Sequence, residues 1–98
     1  MYKEIPSTML VAEKWSPKLV NSKTAFAFQA LRQSQGKGQG TNAWMSPPGN
    51  LYVTMLLQID FQIAPFLSII ACSSIMKTIS QEVPGLKTNC KWVNDILI

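Results

Sequence analysis

Histidine is absent from this 98-residue chain, and cysteine appears only twice, as Cys72 and Cys90. Those two gaps remove a class of chemistry. A zinc site needs about four thiolate, imidazole or carboxylate ligands, and Ser-His or Cys-His nucleophilic catalysis needs an imidazole base. The two cysteines lack a C-x-x-C spacing and read as buried fillers or as thiols, in keeping with a reducing compartment. Acidic residues are also few, five against nine Lys and Arg, which leaves a net charge of +4. The cations are scattered (Lys3, Lys14, Lys18, Lys23, Arg32, Lys37, Lys77, Lys87, Lys91), so no polybasic run or nucleic-acid stripe forms, and no nucleic-acid partner is expected. Long hydrophobic runs are missing as well. The stretch from Ile63 to Met76 is interrupted by Pro65, Ser68, Ser73 and Ser74, too short and too polar to span a bilayer. Met1-Tyr2-Lys3-Glu4-Ile5-Pro6 has no apolar core of the secretory kind. A cytoplasmic location is expected, with a mitochondrial one as the alternative, and no membrane partner.

What remains is a globular composition, 47% hydrophobic and 14% charged, well away from the profile of disorder. No repeat, linker or low-complexity segment interrupts it, so residues 1–98 are expected to form one unit without an internal boundary. Met9-Leu10-Val11-Ala12-Glu13-Lys14-Trp15 has helical spacing, with Ser7 or Thr8 as the cap and Pro17 as the terminator. Thr24 to Arg32 is apolar on both parities, which predicts a central strand covered on two faces. From Leu51 to Phe61 the odd positions are apolar and the even ones include Tyr52, Thr54, Gln58 and Asp60, a strand with its odd face on a core. Pro65 opens a helix over Phe66 to Ser80 whose stripe of Phe66, Ile69, Ile70, Ser73, Met76 and Ile79 is expected to pack on the sheet. After Pro84-Gly85, Cys90 to Val93 and Ile96 to Ile98 read as two strand pieces joined at Asn94-Asp95.

Between the first two long strands lies Gly36-Lys37-Gly38-Gln39-Gly40. Glycines let backbone N–H groups approach an anion without a Cβ in the way, and Lys37 and Arg32 add positive charge. This is neither a P-loop nor a Rossmann fingerprint, since the G-x-x-x-x-G-K-[ST] order is absent and a strand follows instead of a helix. An isolated G-x-G-x-G is more often a plain connection between strands.

The surrounding residues change that weighting. The segment from Gln33 to Pro47, with Trp44-Met45-Ser46-Pro47 at its end, resembles the biotin- and adenylate-binding loop of the biotin protein ligases, closest to the eukaryotic holocarboxylase synthetase form. Ser7-Thr8-Met9 resembles the family's Ser-Thr-Asn/Met segment, and Lys91-Trp92-Val93-Asn94-Asp95 its Lys-Trp-Pro-Asn-Asp segment. The resemblance implies an α+β fold: a mixed sheet with helices on one face, of the type these ligases share with class II aminoacyl-tRNA synthetases, here incomplete. It implies that Ser7, Thr8, Gln33, Gly36, Lys37 and Gly38 bind biotin, the last three through their backbone. Lys37, Gln39, Trp44, Asn94 and Asp95 would serve ATP or the adenylate. The substrates would be biotin and ATP, with Mg2+ accompanying the nucleotide, and the partner the biotin carrier domain of carboxylases. Oligomeric state is left open.

Plainer readings stand beside these: Thr8 as a helix cap, Trp44 and Trp92 as core aromatics, Asp95 as a turn former. For Trp92 the core reading is preferred, because its neighbours are strand-like. The sequence also departs from the family. Gln39 stands where an Arg would hold the adenylate phosphate, and Gln cannot supply that charge. Thr41 replaces a Gly and Val93 a Pro. The family's catalytic Lys is expected beyond Ile98, so the 98 residues alone are expected to be a fragment without ligase activity. The alternatives are a non-catalytic module that binds biotin or a carrier, and a lipoate or octanoyl ligase of the same superfamily.

Overall fold

The computed structural model describes residues 1–91 and 94–98. Readings that rest on Trp92 and Val93 therefore lie outside the described residues. The chain forms two compact units, Met1–Gln58 and Ile59–Ile98. Their junction falls inside the run read from sequence as one long strand, where no Pro, Gly or Ser cluster signals it.

The first unit is built from β1 (Tyr2–Ile5), α1 (Thr8–Leu19), β2 (Phe26–Gln33) and β3 (Tyr52–Leu56). The strands lie in the order β1-β2-β3. β1 runs parallel to β2, with Glu4 opposite Arg32, and β3 runs antiparallel to it, with Phe26 opposite Leu56 and Ala30 opposite Tyr52. The sheet is mixed and β2 is central, as expected. β1 is an addition: four residues ahead of Pro6 are too few to show an alternation.

Helix α1 begins where Ser7, in extended backbone, accepts a bond from the Met9 N–H at 3.2 Å, so of the two candidate caps it is Ser7 that caps. Such a cap is worth about 1 kcal/mol. The helix continues past the expected terminator, Pro17. Proline cannot serve the carbonyl four residues back, which here is Glu13, and the Ser16 hydroxyl bonds that carbonyl instead at 3.0 Å. With its last turn satisfied, α1 runs on to Leu19.

α1 packs on β2 and β3. Small residues make the approach close: Ala12 is 5% exposed and Ala30 fully buried. The covered sheet face is the even one, where the Thr54 hydroxyl meets Thr8 at 2.8 Å. The expectation of an odd-faced core on β3 is thus reversed, since Val53 and Met55 are 40% and 61% exposed. A small-residue and hydroxyl contact, not the apolar stripe, docks the helix. β3 is also shorter than read, because β2 begins at Phe26, the partner of Leu56. Within the first unit α1 covers one face of central β2, and Leu31 on the other face is 43% exposed.

The second unit opens with a 3-10 turn at Ala64–Phe66, Pro65 in its first turn as expected, and continues into α2 (Leu67–Glu82). β4 (Asn89–Lys91) and β5 (Asp95–Leu97) pair antiparallel, Cys90 opposite Ile96. α2 touches β5. Its more covered positions are Cys72, Met76 and Ile79, one helical stripe, whereas Phe66, Ile69 and Ile70 of the expected stripe are exposed. No helix among the described residues is long and apolar enough to cross a membrane.

Cys72 is buried and Cys90 exposed, so only one of the two is a filler. The thiol of Cys72 is pushed above its ordinary value of 9.0, first by a hydrogen bond with Cys90, then by burial and by the charges of Cys90 and Asp95. A raised value means less thiolate at any given alkaline pH, and the thiolate is the nucleophile. In alkylation with iodoacetamide at pH 8, Cys90 is expected to be modified well before Cys72, and the lag should narrow above pH 9. Peptide mass spectrometry reads this; equal rates at pH 8 would contradict the packing described.

Candidate functional site

The chain ends of β1 and β2 are tied together just where the candidate residues begin. Ser34 and Gln35 donate backbone bonds to Ile5 and Pro6 at 3.0 and 2.8 Å, extending the parallel pairing by two residues. This brings Gln33 beside the first turn of α1. Its Oε1 accepts from the Thr8 backbone N–H at 2.7 Å and from the Thr8 hydroxyl at 3.1 Å. Its Nε2 donates to the Ser46 hydroxyl at 3.1 Å, and that hydroxyl donates to the Trp44 carbonyl at 3.2 Å. A helix start leaves N–H groups without intrahelical partners; here Gln33 takes that of Thr8 and Ser7 that of Met9. Ser7, Thr8 and Ser46 are all at least 95% buried, so this cluster lies largely away from water, where satisfied polar bonds count most.

The glycine-punctuated loop closes on itself. The Trp44 N–H donates to the Gly36 carbonyl at 2.8 Å, the Gly38 N–H to the Asn42 carbonyl at 2.7 Å, and the Asn42 N–H to the Gln39 carbonyl at 3.2 Å. Gly40 at the tip has φ +63°, which favours glycine. At Gly36 the requirement is different: a Cβ there would collide with the Trp44 carbonyl and the Ser46 hydroxyl. The Tyr52 hydroxyl holds the following turn through the Pro47 carbonyl at 2.8 Å.

These contacts bound a cavity of about 260 Å³ lined by Ser7, Thr8, Met9, Gln33, Lys37, Trp44, Leu51, Tyr52, Val53 and Thr54. Five residues singled out from the sequence meet there: Ser7, Thr8, Gln33, Lys37 and Trp44. Lys37 is the one charged side chain among its lining residues. Trp44, 62% exposed, is at the rim and is no core aromatic. Gly36 instead lines an outer hollow of about 510 Å³ with Arg32, Trp44 and Ser46.

Three of the residues named from the sequence are placed away from the cavity. The Gly38 amide points at Asn42 and not into the cavity, because the loop satisfies its own backbone. Gln39 sits exposed beside the tip and lines neither space. Arg32 is drawn to Glu4, its register partner on β1, at 3.5 Å, an exposed pair worth about 0–1 kcal/mol. Asn94 and Asp95 lie in the second unit, at the turn into β5, both exposed. Thr54 and Ser46 were missed. Thr54 is a hydroxyl on the even register of a strand whose odd register is apolar, and that signal was available.

An apolar cavity of about 430 Å³, between the C-terminal end of α1 and the β2 and β3 ends, includes Pro17, Leu19, Phe26 and Leu56. It holds none of the candidate residues, and its lining offers no charged group.

The comparison with known proteins converges on the ligase resemblance. The model of the biotin/lipoate A/B protein ligase family matches residues 2–98. The chain belongs to this family. Among curated relatives, it is 35% identical over 72 residues to the bifunctional ligase/repressor BirA of Bacillus subtilis, covering 70% of this chain and 22% of that protein. It is 32% identical over 74 residues to the human biotin–protein ligase, covering 68% of this chain and 10% of that one. The crystal structure of a biotin protein ligase from Leishmania major in complex with biotinyl-5-AMP matches with a TM-score of 0.83 at 28% identity, covering 98% of this chain and 45% of the other. The mixed-sheet fold with helices is therefore that of a biotin protein ligase, and the chain spans less than half the length of these family members.

Proposed function

We propose that this chain forms the biotin-holding part of an ATP-dependent biotin–protein ligase. The observation that carries the reading is the Thr8–Gln33 pair, braced by Ser46 behind it, lining one cavity with Lys37 and Trp44. A bicyclic ligand with a small polar ring and an aliphatic acid tail suits such a space: the ring meets Ser7, Thr8 and Gln33, and the carboxylate end meets Lys37. The BirA, human and Leishmania relatives support it through the names they carry.

In the reaction so read, the biotin carboxylate attacks the α-phosphorus of ATP, forming biotinyl-adenylate and releasing pyrophosphate. The amine of a carrier lysine then attacks the acyl carbon, forming the amide and releasing AMP. The residues here contribute by holding biotin in place, worth several powers of ten when the geometry is right, and by placing the Lys37 charge where phosphate charge develops. Trp44 at the rim offers a face to the adenine, and Gln39, neutral and exposed, adds no charge to the loop. Among the described residues no three carboxylate or cysteine side chains gather as a metal site. Mg2+ would accompany the nucleotide, and no step is routed through a protein-held metal. Asn94 and Asp95 remain candidates for the nucleotide side. The carrier would be the biotin domain of a carboxylase, and the location cytoplasmic.

The test is exchange of labelled pyrophosphate into ATP by the full-length protein. Exchange that depends on biotin and not on lipoate or octanoate is expected. Exchange driven equally by lipoate would give the alternative superfamily reading, and biotin binding without any exchange would leave a non-catalytic biotin module.

A further inference from the structure

One backbone N–H fixes the direction of a whole chain of hydrogen bonds. The Gln33 amide atom that receives the Thr8 N–H at 2.7 Å must be the carbonyl oxygen, because an NH2 group cannot accept. The Thr8 hydroxyl, 3.1 Å from the same oxygen, must therefore donate to it. A hydroxyl has a single proton, so toward Thr54 it can only accept, and Thr54 Oγ1 donates across 2.8 Å. On the other side Nε2 gives one N–H to Ser46, which spends its own proton on the Trp44 carbonyl. What the Thr8–Gln33 pair can still offer a ligand is a lone pair on Thr8 Oγ1 beside the second N–H of Gln33: an acceptor next to a donor.

We infer that Thr54 is a positioning residue that makes this cavity selective for a ligand group pairing an N–H donor with a neighbouring acceptor, as a cyclic urea does. Thr54 acts through Thr8. Its O–H fills one of the two Thr8 lone pairs and holds the hydroxyl oxygen in place, so the remaining lone pair has one direction and meets one kind of partner. Replacing that O–H by a methyl at the same site would push the two side chains apart, since carbon and oxygen do not approach to 2.8 Å. The inference rests on the biotin reading above, biotin's ureido ring being such a group.

Calorimetry on the full-length protein with biotin and with its ureido N-methyl analogue provides the test. Thr54→Val is expected to weaken biotin about five- to tenfold, the scale of one misplaced hydrogen bond, and to shrink the preference for biotin over the methylated analogue. Thr54→Ser, which keeps the hydroxyl, should bind within about twofold of the parent. In a Thr8→Val background Thr54→Val should change nothing further, because the residue through which it acts is gone. A parent that binds biotin while Thr54→Val binds it equally well, or losses that simply multiply in the double variant, would overturn the inference and leave the biotin reading standing. A parent that fails to bind biotin overturns both.

Discussion

Gln33→Leu is expected to abolish measurable biotin binding, a loss on the order of a hundredfold or more, while also lowering thermal stability. Leucine is close in size to glutamine, so the space stays filled, but four hydrogen-bonding partners lose their counterpart at once. The Thr8 N–H, at the start of α1, and the Thr8 hydroxyl lose Oε1; the Ser46 hydroxyl and the ligand lose Nε2. Each buried group left without a partner costs about 1–3 kcal/mol, and each 1.4 kcal/mol is about tenfold in affinity. Gln33→Glu separates the two halves of the role. A carboxylate still accepts from Thr8, but it cannot donate to Ser46 or to a ligand carbonyl, so helix docking should survive and biotin affinity should not. Calorimetry alongside thermal melting reads both. Wild-type affinity in Gln33→Leu would mean that the cavity is not the biotin site.

The second large effect is expected at Gly36, and the comparison is with Gly38. Both were read from the sequence as glycines that let backbone meet ligand, yet their surroundings differ. A Cβ at Gly36 would run into the Trp44 carbonyl and the Ser46 hydroxyl, neither of which can move without breaking the Trp44–Gly36 or Gln33–Ser46 bond. A Cβ at Gly38 would meet Asn42 at 3.5 Å and the Trp44 ring at 3.6 Å, ordinary contact distances. Overpacking of the first kind costs about 1–3 kcal/mol. Gly36→Ala is therefore expected to lose about tenfold or more in biotin affinity, and Gly38→Ala to stay within about twofold. The reverse order, with Gly38 the sensitive position, would mean that the loop opens its Asn42 pairing to greet the ligand through its amides.

The strands and helices were legible where a period or a cap speaks for itself: Ser7 before a helical pattern, Pro65 at a first turn, and the doubly apolar run that became central β2. The sense of β3 was not, because an apolar odd register names a face without naming what covers it. The even register won through Thr54 and the small residues Ala12 and Ala30, which let α1 approach closely. At the site, Ser7, Thr8, Gln33, Lys37 and Trp44 could be named from motif resemblance. Their bonds could not, since Gln33 and Ser46 are thirteen residues apart and Thr8 and Thr54 forty-six. Spacing along a chain carries no information about a hydroxyl's direction; here that direction follows only once the Thr8 N–H is seen to face Gln33. The glycine loop was the reverse case. Its composition suggested open amides, and the fold spends the Gly38 amide inside the loop.

Which cavity holds biotin is decided most directly by a crystal structure of the full-length protein with biotin. The expected result is the ureido ring in the space between α1, β3 and the Gly36–Trp44 loop, one ring N–H on Thr8 Oγ1, the ring carbonyl on Gln33 Nε2, and the carboxylate end toward Lys37. Biotin seated elsewhere, or in that cavity with its acid tail against Thr8, would contradict it.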